Sequence, residues 1–362
     1  MTDEALTGAR ERTLGANAGW MIVLLVAVVG LAYVKWFPYY HKAVAAYGTH
    51  SVGSSILTGE ASQLPPVSLL AALDYAAVYG KAIWKALILA LLLGSAVQSL
   101  LPRRWIYSTL GHSGLRSVLI GGVMSLPGMM CTCCAAPIVA GLRACRASPG
   151  GAVAFWLGNT VLNPATLIFT GLVLGWKWSA LRIVIGLLAV FGLGWLVNRV
   201  AAAGEAVEAV AAEAGRKDPR GPGERESAPS LTAWLGALGR MSLRLIPEYA
   251  VLVLILGAAR AWLFPQVGHA VDDSLLWILA FAISGAVFVV PTAGEIPIVQ
   301  TMLLLGVGAG PAAALLLTLP PISAPSVAML WKSLSGRTLL LVTLGVIALG
   351  TLGGLAAAAL FS

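Results

Sequence analysis

Three of the four cysteines, Cys131, Cys133 and Cys134, fall within four positions of the segment GGVMSLPGMMCTCCAAPIVAGLRACRASPGG (121–151), between Pro127 and Pro137. Thiols crowded in this way suit soft species: thiophilic metalloids, Cu(I)-like metals or sulfur compounds, bound as thiolates and released by exchange with another thiol. A single buried cysteine is ordinary packing, and Cys145, between Arg143 and Arg146, reads as that. Three together need another reason. Zinc is poorly served, because no second Cys/His pair stands at ligand spacing and His112 is the one nearby imidazole. No resident metal and no cofactor are expected. The second reactive group is Glu295, in VVPTAGEIPIV (289–299), where Pro291 and Pro297 repeat the proline pair around a shorter insert. A carboxylate in such apolar company is costly unless paired, protonated or hydrated, which marks it as functional.

The elements that must position these groups are membrane spans. The chain has 362 residues, 59% hydrophobic and 10% charged, with a mean hydropathy of +0.88. Soluble domains carry roughly 25% charged residues. Apolar runs at 20–34, 82–101, 181–197, 249–264 and 338–361 are each near the ~20 residues that cross a bilayer. The first is read as a retained span over 17–37, since KWFPYYHK follows it rather than a small-residue cleavage site. The net charge of +8 is spread over segment ends, the pattern of membrane orientation; no nucleic-acid partner is expected. Asp74, Lys81 and Lys85 read as interfacial anchors, and the tryptophans mostly as interfacial belts.

A polar stretch at 201–230 divides the membrane part into 79–200 and 231–362, and the two parts resemble each other. LLLGSAVQSLLP (91–102) matches LILGAARAWLFP (254–265) at six of twelve positions, Gly94 with Gly257 and Pro102 with Pro265 among them. Residues 137–167 lie over 297–330, each with Pro-Ile-Val, a Gly/Pro break and a polar, Pro-containing turn at Asn163-Pro164 or Ser323-Ala324-Pro325. Arg199, Arg216, Lys217, Arg220, Arg225, Arg240 and Arg244 place the linker in the cytoplasm, together with the N-terminus. PQVGHAVDD (265–273), with two acids and no Lys or Arg, goes outside. The second part then starts on the opposite side from the first and is its inversion. Lys177 and Arg182, left outside, run against this scheme.

Between Arg116 and Met130 there are about fourteen residues, too few at ~1.5 Å each for the ~30 Å hydrocarbon core. Pro127, Pro137, Pro291 and Pro297 are therefore predicted to break two re-entrant hairpins, over 115–145 and near 274–306. The expected fold is an all-α polytopic membrane protein, an inverted-topology repeat with broken hairpins and about eight full spans. That is the construction of secondary transporters, with the site at the midplane. Asn159, Asn163, Gln300 and Ser323 are the further substrate-binding candidates, and Glu295 the candidate for proton coupling.

At this motif the chain resembles the predicted-permease family that contains the YraQ-like permeases and the bacterial organoarsenical efflux permeases (ArsP). Pro127, Cys131-Thr132-Cys133-Cys134, Pro137 and Asn163-Pro164 carry the likeness, which covers most of the chain after the first span. The family's Pro-x-Cys-Ser-Cys signature has Thr132 for its Ser here, Met129-Met130 before the first Cys, and Cys134 vicinal to Cys133. The resemblance implies an inverted-repeat permease whose best-known activity is export of trivalent organoarsenicals through paired cysteines, in a bacterial inner membrane. The chain is expected to be a transporter and not an enzyme; it has no Gly-x-x-x-x-Gly-Lys-Ser/Thr motif for direct ATP use. The expected partners are the bilayer and a small metalloid or sulfur-containing solute. Two alternatives stand beside organoarsenical export: a permease for a sulfur oxyanion or small thiol, and a thiol–disulfide conduit using the Cys131-x-x-Cys134 spacing.

Overall fold

A computed structural model describes residues 3–53, 55–56, 68–201, 231–263 and 271–361, and most of the expected linker (202–230) lies outside these. The first span is longer than 17–37. Helix α1 (Asp3–Leu31) continues through a π-helical turn (Ala32–Trp36) into α2 (Phe37–Thr49), making a span over Asn17–Thr49. The wide π turn just ahead of Pro38 absorbs that residue's missing N–H, so neither Lys35 nor the proline ends the helix.

Two series of helices follow with the same punctuation. The first begins at Leu69, earlier than residue 79, with α3 (Leu69–Leu100), and a short α4 (Arg103–Leu110) comes next. Then come α5 (Leu115–Ser125), α6 (Thr132–Ala144), α7 (Pro149–Val161), α8 (Pro164–Val173) and α9 (Trp176–Ala201), the last with its own π-helical turn. The second runs α10 (Leu231–Leu263), α11 (Leu275–Val287), α12 (Glu295–Leu304), α13 (Ala309–Thr318), α14 (Ala324–Leu330) and α15 (Gly336–Phe361). Among the described residues six helices are long and apolar enough to span, where hydropathy predicts about eight. Pro149–Val173 is one of the six although it is interrupted at Leu162–Asn163, and its counterpart 309–330 is likewise interrupted after Thr318; each splits into two short helices.

The correspondence extends to backbone detail. Helices α6 and α12 end alike: the amides of Ala147 and Val307 reach back to Leu142 and Met302. Arg146 and Gly306, both left-handed, make these turns. The amides of Gly150 and Gly310 are each capped from another segment, by Asn198 Oδ1 and Asp273 Oδ1, both at 2.7 Å. Both hairpin tips contain a non-glycine residue at positive φ, Met129 (47°) and Ala293 (68°).

The first span shows how the hairpins enter. Near its start, Trp20 packs edge-on against Trp105 of α4, whose last carbonyl, Leu110, accepts from Ser148 at the open end of the α5–α6 hairpin. At its middle, the Trp36 indole donates to the Pro127 carbonyl (2.9 Å) and Lys35 donates to Thr292 (3.3 Å), so adjacent residues hold the two tips. At its end, the His50 carbonyl accepts from Gln300 of α12 (3.2 Å). From Trp20 to His50 is about 45 Å of helix, so the two hairpins come from opposite ends of the span and meet beside its centre.

Pro137 and Pro297 do not break their hairpins. Both lie inside helices, α6 and α12. Pro297 is the third helical residue, where the amide would lack an intrahelical partner anyway. Pro137 leaves only the Cys133 carbonyl without its α-helical donor. The breaks are at Pro127, in a 3-10 turn over Leu126–Gly128, and at Pro291. Gly94 of α3 sits so close to the Pro137 carbonyl, and Gly141 to that of Gly94, that a Cβ at either would strike backbone.

Candidate functional site

The cysteines occupy the first turn of α6 rather than an irregular loop. Cys131 is the N-cap residue and Cys134 the third helical residue, the two positions that a capping box pairs, each side chain reaching toward the other residue. Their sulfurs are 3.1 Å apart. Cys133 turns to another face, 3.5 Å from the Ser323 hydroxyl, where the hydroxyls of Tyr79 and Tyr249 also approach it. Those tyrosines are hydrogen-bonded to each other at 2.6 Å. The cluster therefore divides into a Cys131–Cys134 pair and a separate Cys133, and all four cysteines are free thiols.

Each tip rests on the broken helix of the other series. Thr132 donates to the Pro321 carbonyl (3.3 Å) and Cys133 meets Ser323, both at the α13–α14 break. Glu295, first residue of α12, meets Arg182, which spans the α7–α8 break. The guanidinium donates to Glu295 Oε1 (2.8 Å), to the Thr160 and Val161 carbonyls (3.0 and 3.2 Å) and to Thr166 Oγ1 (3.2 Å). A cation thus lies at the carbonyl end of α7 and an anion at the amide end of α12, each matched to the helix dipole it faces. A cavity of about 10 Å3, room for one water at most, is lined by Cys131, Thr292, Glu295, Thr166 and Pro320 among others. No solute larger than water fits there.

Asn159 supports the cysteine tip, its Oδ1 accepting from the Met130 amide (3.4 Å) and its amide donating to Phe155 (3.3 Å). Asn163 and Ser323 are the N-caps of the corresponding helices α8 and α14. The Nδ2 of Asn163 is buried without a partner. Gln300 is not at the cavity; it is spent on His50. Two residues at the site were not anticipated as site residues. Lys35 is 5% exposed and donates to Tyr39 (3.1 Å) and Thr292. Arg182 is wholly buried, and its signal was its violation of the charge rule for orientation.

A larger open cavity, about 560 Å3, lies among α10, α11, α14 and α15, with Arg244, Glu248 and Lys332 around apolar Val287, Ala324 and Val327. It holds none of the cysteines. Its wall at Ala324 is the residue after Ser323, so it comes up behind the Cys133 face of the tip.

The sequence model of a family described as "Predicted permease" (ArsP_1) matches residues 68–359, from the start of the first helical series almost to the end of the second. The chain belongs to the ArsP_1 predicted-permease family. The "UPF0718 protein YraQ" of Escherichia coli (strain K12) is 48% identical over 361 residues, 97% of this chain and 99% of that protein. No solved structure matches. ArsP_1 membership makes this a multi-pass membrane transporter, and the matched segment begins where the repeated helices begin, leaving the first span outside it.

Proposed function

We propose that this permease is a secondary transporter that exports a soft, thiol-reactive solute, with trivalent organoarsenicals such as methylarsenite the leading cargo. The observation that carries the reading is the Cys131–Cys134 pair, 3.1 Å apart at the point where both hairpins and both broken helices converge. A dihydroxy organoarsenical would load by forming two As–S bonds as two As–O bonds break, each hydroxyl leaving with a thiol proton as water. Two thiols on the far side would reverse the step by exchange. In an inner membrane with linker and N-terminus in the cytoplasm, the Arg244–Lys332 cavity faces the cytoplasm and serves as the approach. Glu295 is the coupling group: taking up a proton frees Arg182 and loosens the second tip from the α7–α8 break.

The test is growth protection of an arsenic-sensitive host against methylarsenite, arsenite, antimonite and selenite. Protection against methylarsenite that Cys131→Ser and Cys134→Ser each abolish, at unchanged protein level in the membrane, is the expected outcome. Equal protection by all variants would remove the thiol site. The short Cys131–Cys134 contact also suits a thiol–disulfide conduit; a mixed disulfide trapped with a thioredoxin-like partner, with no solute movement, would favour that reading.

A further inference from the structure

The carboxylates around the tip cavity do not match its basic side chains in number. Arg182 and Glu295 neutralise each other. Lys35 is also buried, and among the described residues no carboxylate pairs with it; its ammonium donates to the neutral hydroxyls of Tyr39 and Thr292. From the facing hairpin come the thiols of Cys131 and Cys134, within its electrostatic reach. Lys42, about two helix turns further along the first span, adds positive charge near Glu295. An ammonium withdrawn from water with no carboxylate beside it is costly, and in membranes such groups are kept where something needs them. Thr292, to which Lys35 is tied, lines the cavity together with Cys131. The π-helical turn that carries Lys35 belongs to a span outside both repeats, so the cation is supplied to the site by a dedicated element.

We propose that Lys35 makes the tip cavity a receptor for a soft anion, so that the favoured cargo presents negative charge beside its thiol-reactive or sulfur atom. An arsenical with an acidic substituent, or a sulfur oxyanion, is then held by thiols and ammonium together and more tightly than methylarsenite, which the thiols alone hold. This rests on the tip cavity being the cargo site and narrows what it takes.

The test uses detergent-purified full-length protein and two probes, thiosulfate as the soft anion and phenylarsine oxide as the neutral thiol reagent, each read by thermal stabilisation against concentration. Thiosulfate should stabilise the wild type, with an apparent Kd raised at least about tenfold in Lys35→Gln and restored to within about threefold in Lys35→Arg. Phenylarsine oxide should still stabilise Lys35→Gln, losing far less affinity than thiosulfate does, which also shows that the variant is folded. No thiosulfate response in the wild type, an equal response in Lys35→Gln, or a phenylarsine oxide response that falls with Lys35 while thiosulfate does nothing would each overturn the proposal. A phenylarsine oxide response unchanged in Cys131→Ser/Cys134→Ser would instead overturn the thiol site, and leaves the thiosulfate comparison to decide the anion site by itself.

Discussion

The Glu295 carboxylate and the Arg182 guanidinium meet at 2.8 Å, 113 residues apart in sequence, with neither side chain in appreciable contact with solvent. Removing one partner strands the other, which costs about 3–5 kcal/mol at a buried pair. Arg182→Gln and Glu295→Gln should each lower the melting temperature of the purified protein. Arg182→Gln should do so more, because the Thr160 and Val161 carbonyls lose their donor as well. The double variant should recover part of the loss. Additive losses would mean that the two charges are not coupled.

The orientation of the hairpins is open to chemical labelling. Single cysteines placed at Ser333, which accepts from Arg143 at the end of α6, and at Asp273, which caps α13, should react with a membrane-impermeant maleimide from opposite sides. Labelling of both from one side would contradict the inversion.

Helices α3 and α6 approach through Gly94 and Gly141 with no room for a side chain between them. Gly94→Ala should therefore destabilise by about 1–3 kcal/mol, the usual range for overpacking. Because Gly94 bears on the Pro137 carbonyl one turn behind the thiols, transport should fall as well. An unchanged melting temperature would show that the helices can separate at little cost.

Much of this arrangement could be read from the chain. The paired prolines and the short segments announced two hairpins, because breaks and lengths follow from backbone chemistry, and the crowded thiols pointed to the tip of the first as the candidate site. The roles of individual prolines were less legible: Pro137 and Pro127 look alike in sequence, yet only Pro127 stands where the helix ends. The division of the cysteines was hidden too, since it depends on Cys131 taking the N-cap position. Lys35 was not singled out in the sequence, and Arg182 stood out only as a charge that ran against the orientation scheme. A cation at a segment end and one turned inward to a site are the same letter, and only the failure of Arg182 to obey the orientation rule hinted at the difference.

The approach from the larger cavity makes its own prediction. Val327→Trp should fill space between α14 and the Arg244–Lys332 rim and slow loading from that side by about tenfold, with little change in stability. The readout is initial uptake into everted vesicles. Unaltered uptake would place the entry elsewhere.

The claim on which the rest depends is that the Cys131–Cys134 pair holds the cargo during transport. Its most direct measurement is methylarsenite uptake into everted membrane vesicles containing the wild type, Cys131→Ser, Cys134→Ser or Cys133→Ser at matched protein levels. Uptake at the level of vesicles without the protein for the first two variants, with Cys133→Ser retaining a substantial part, is the predicted result. Wild-type uptake by Cys131→Ser or Cys134→Ser would contradict it.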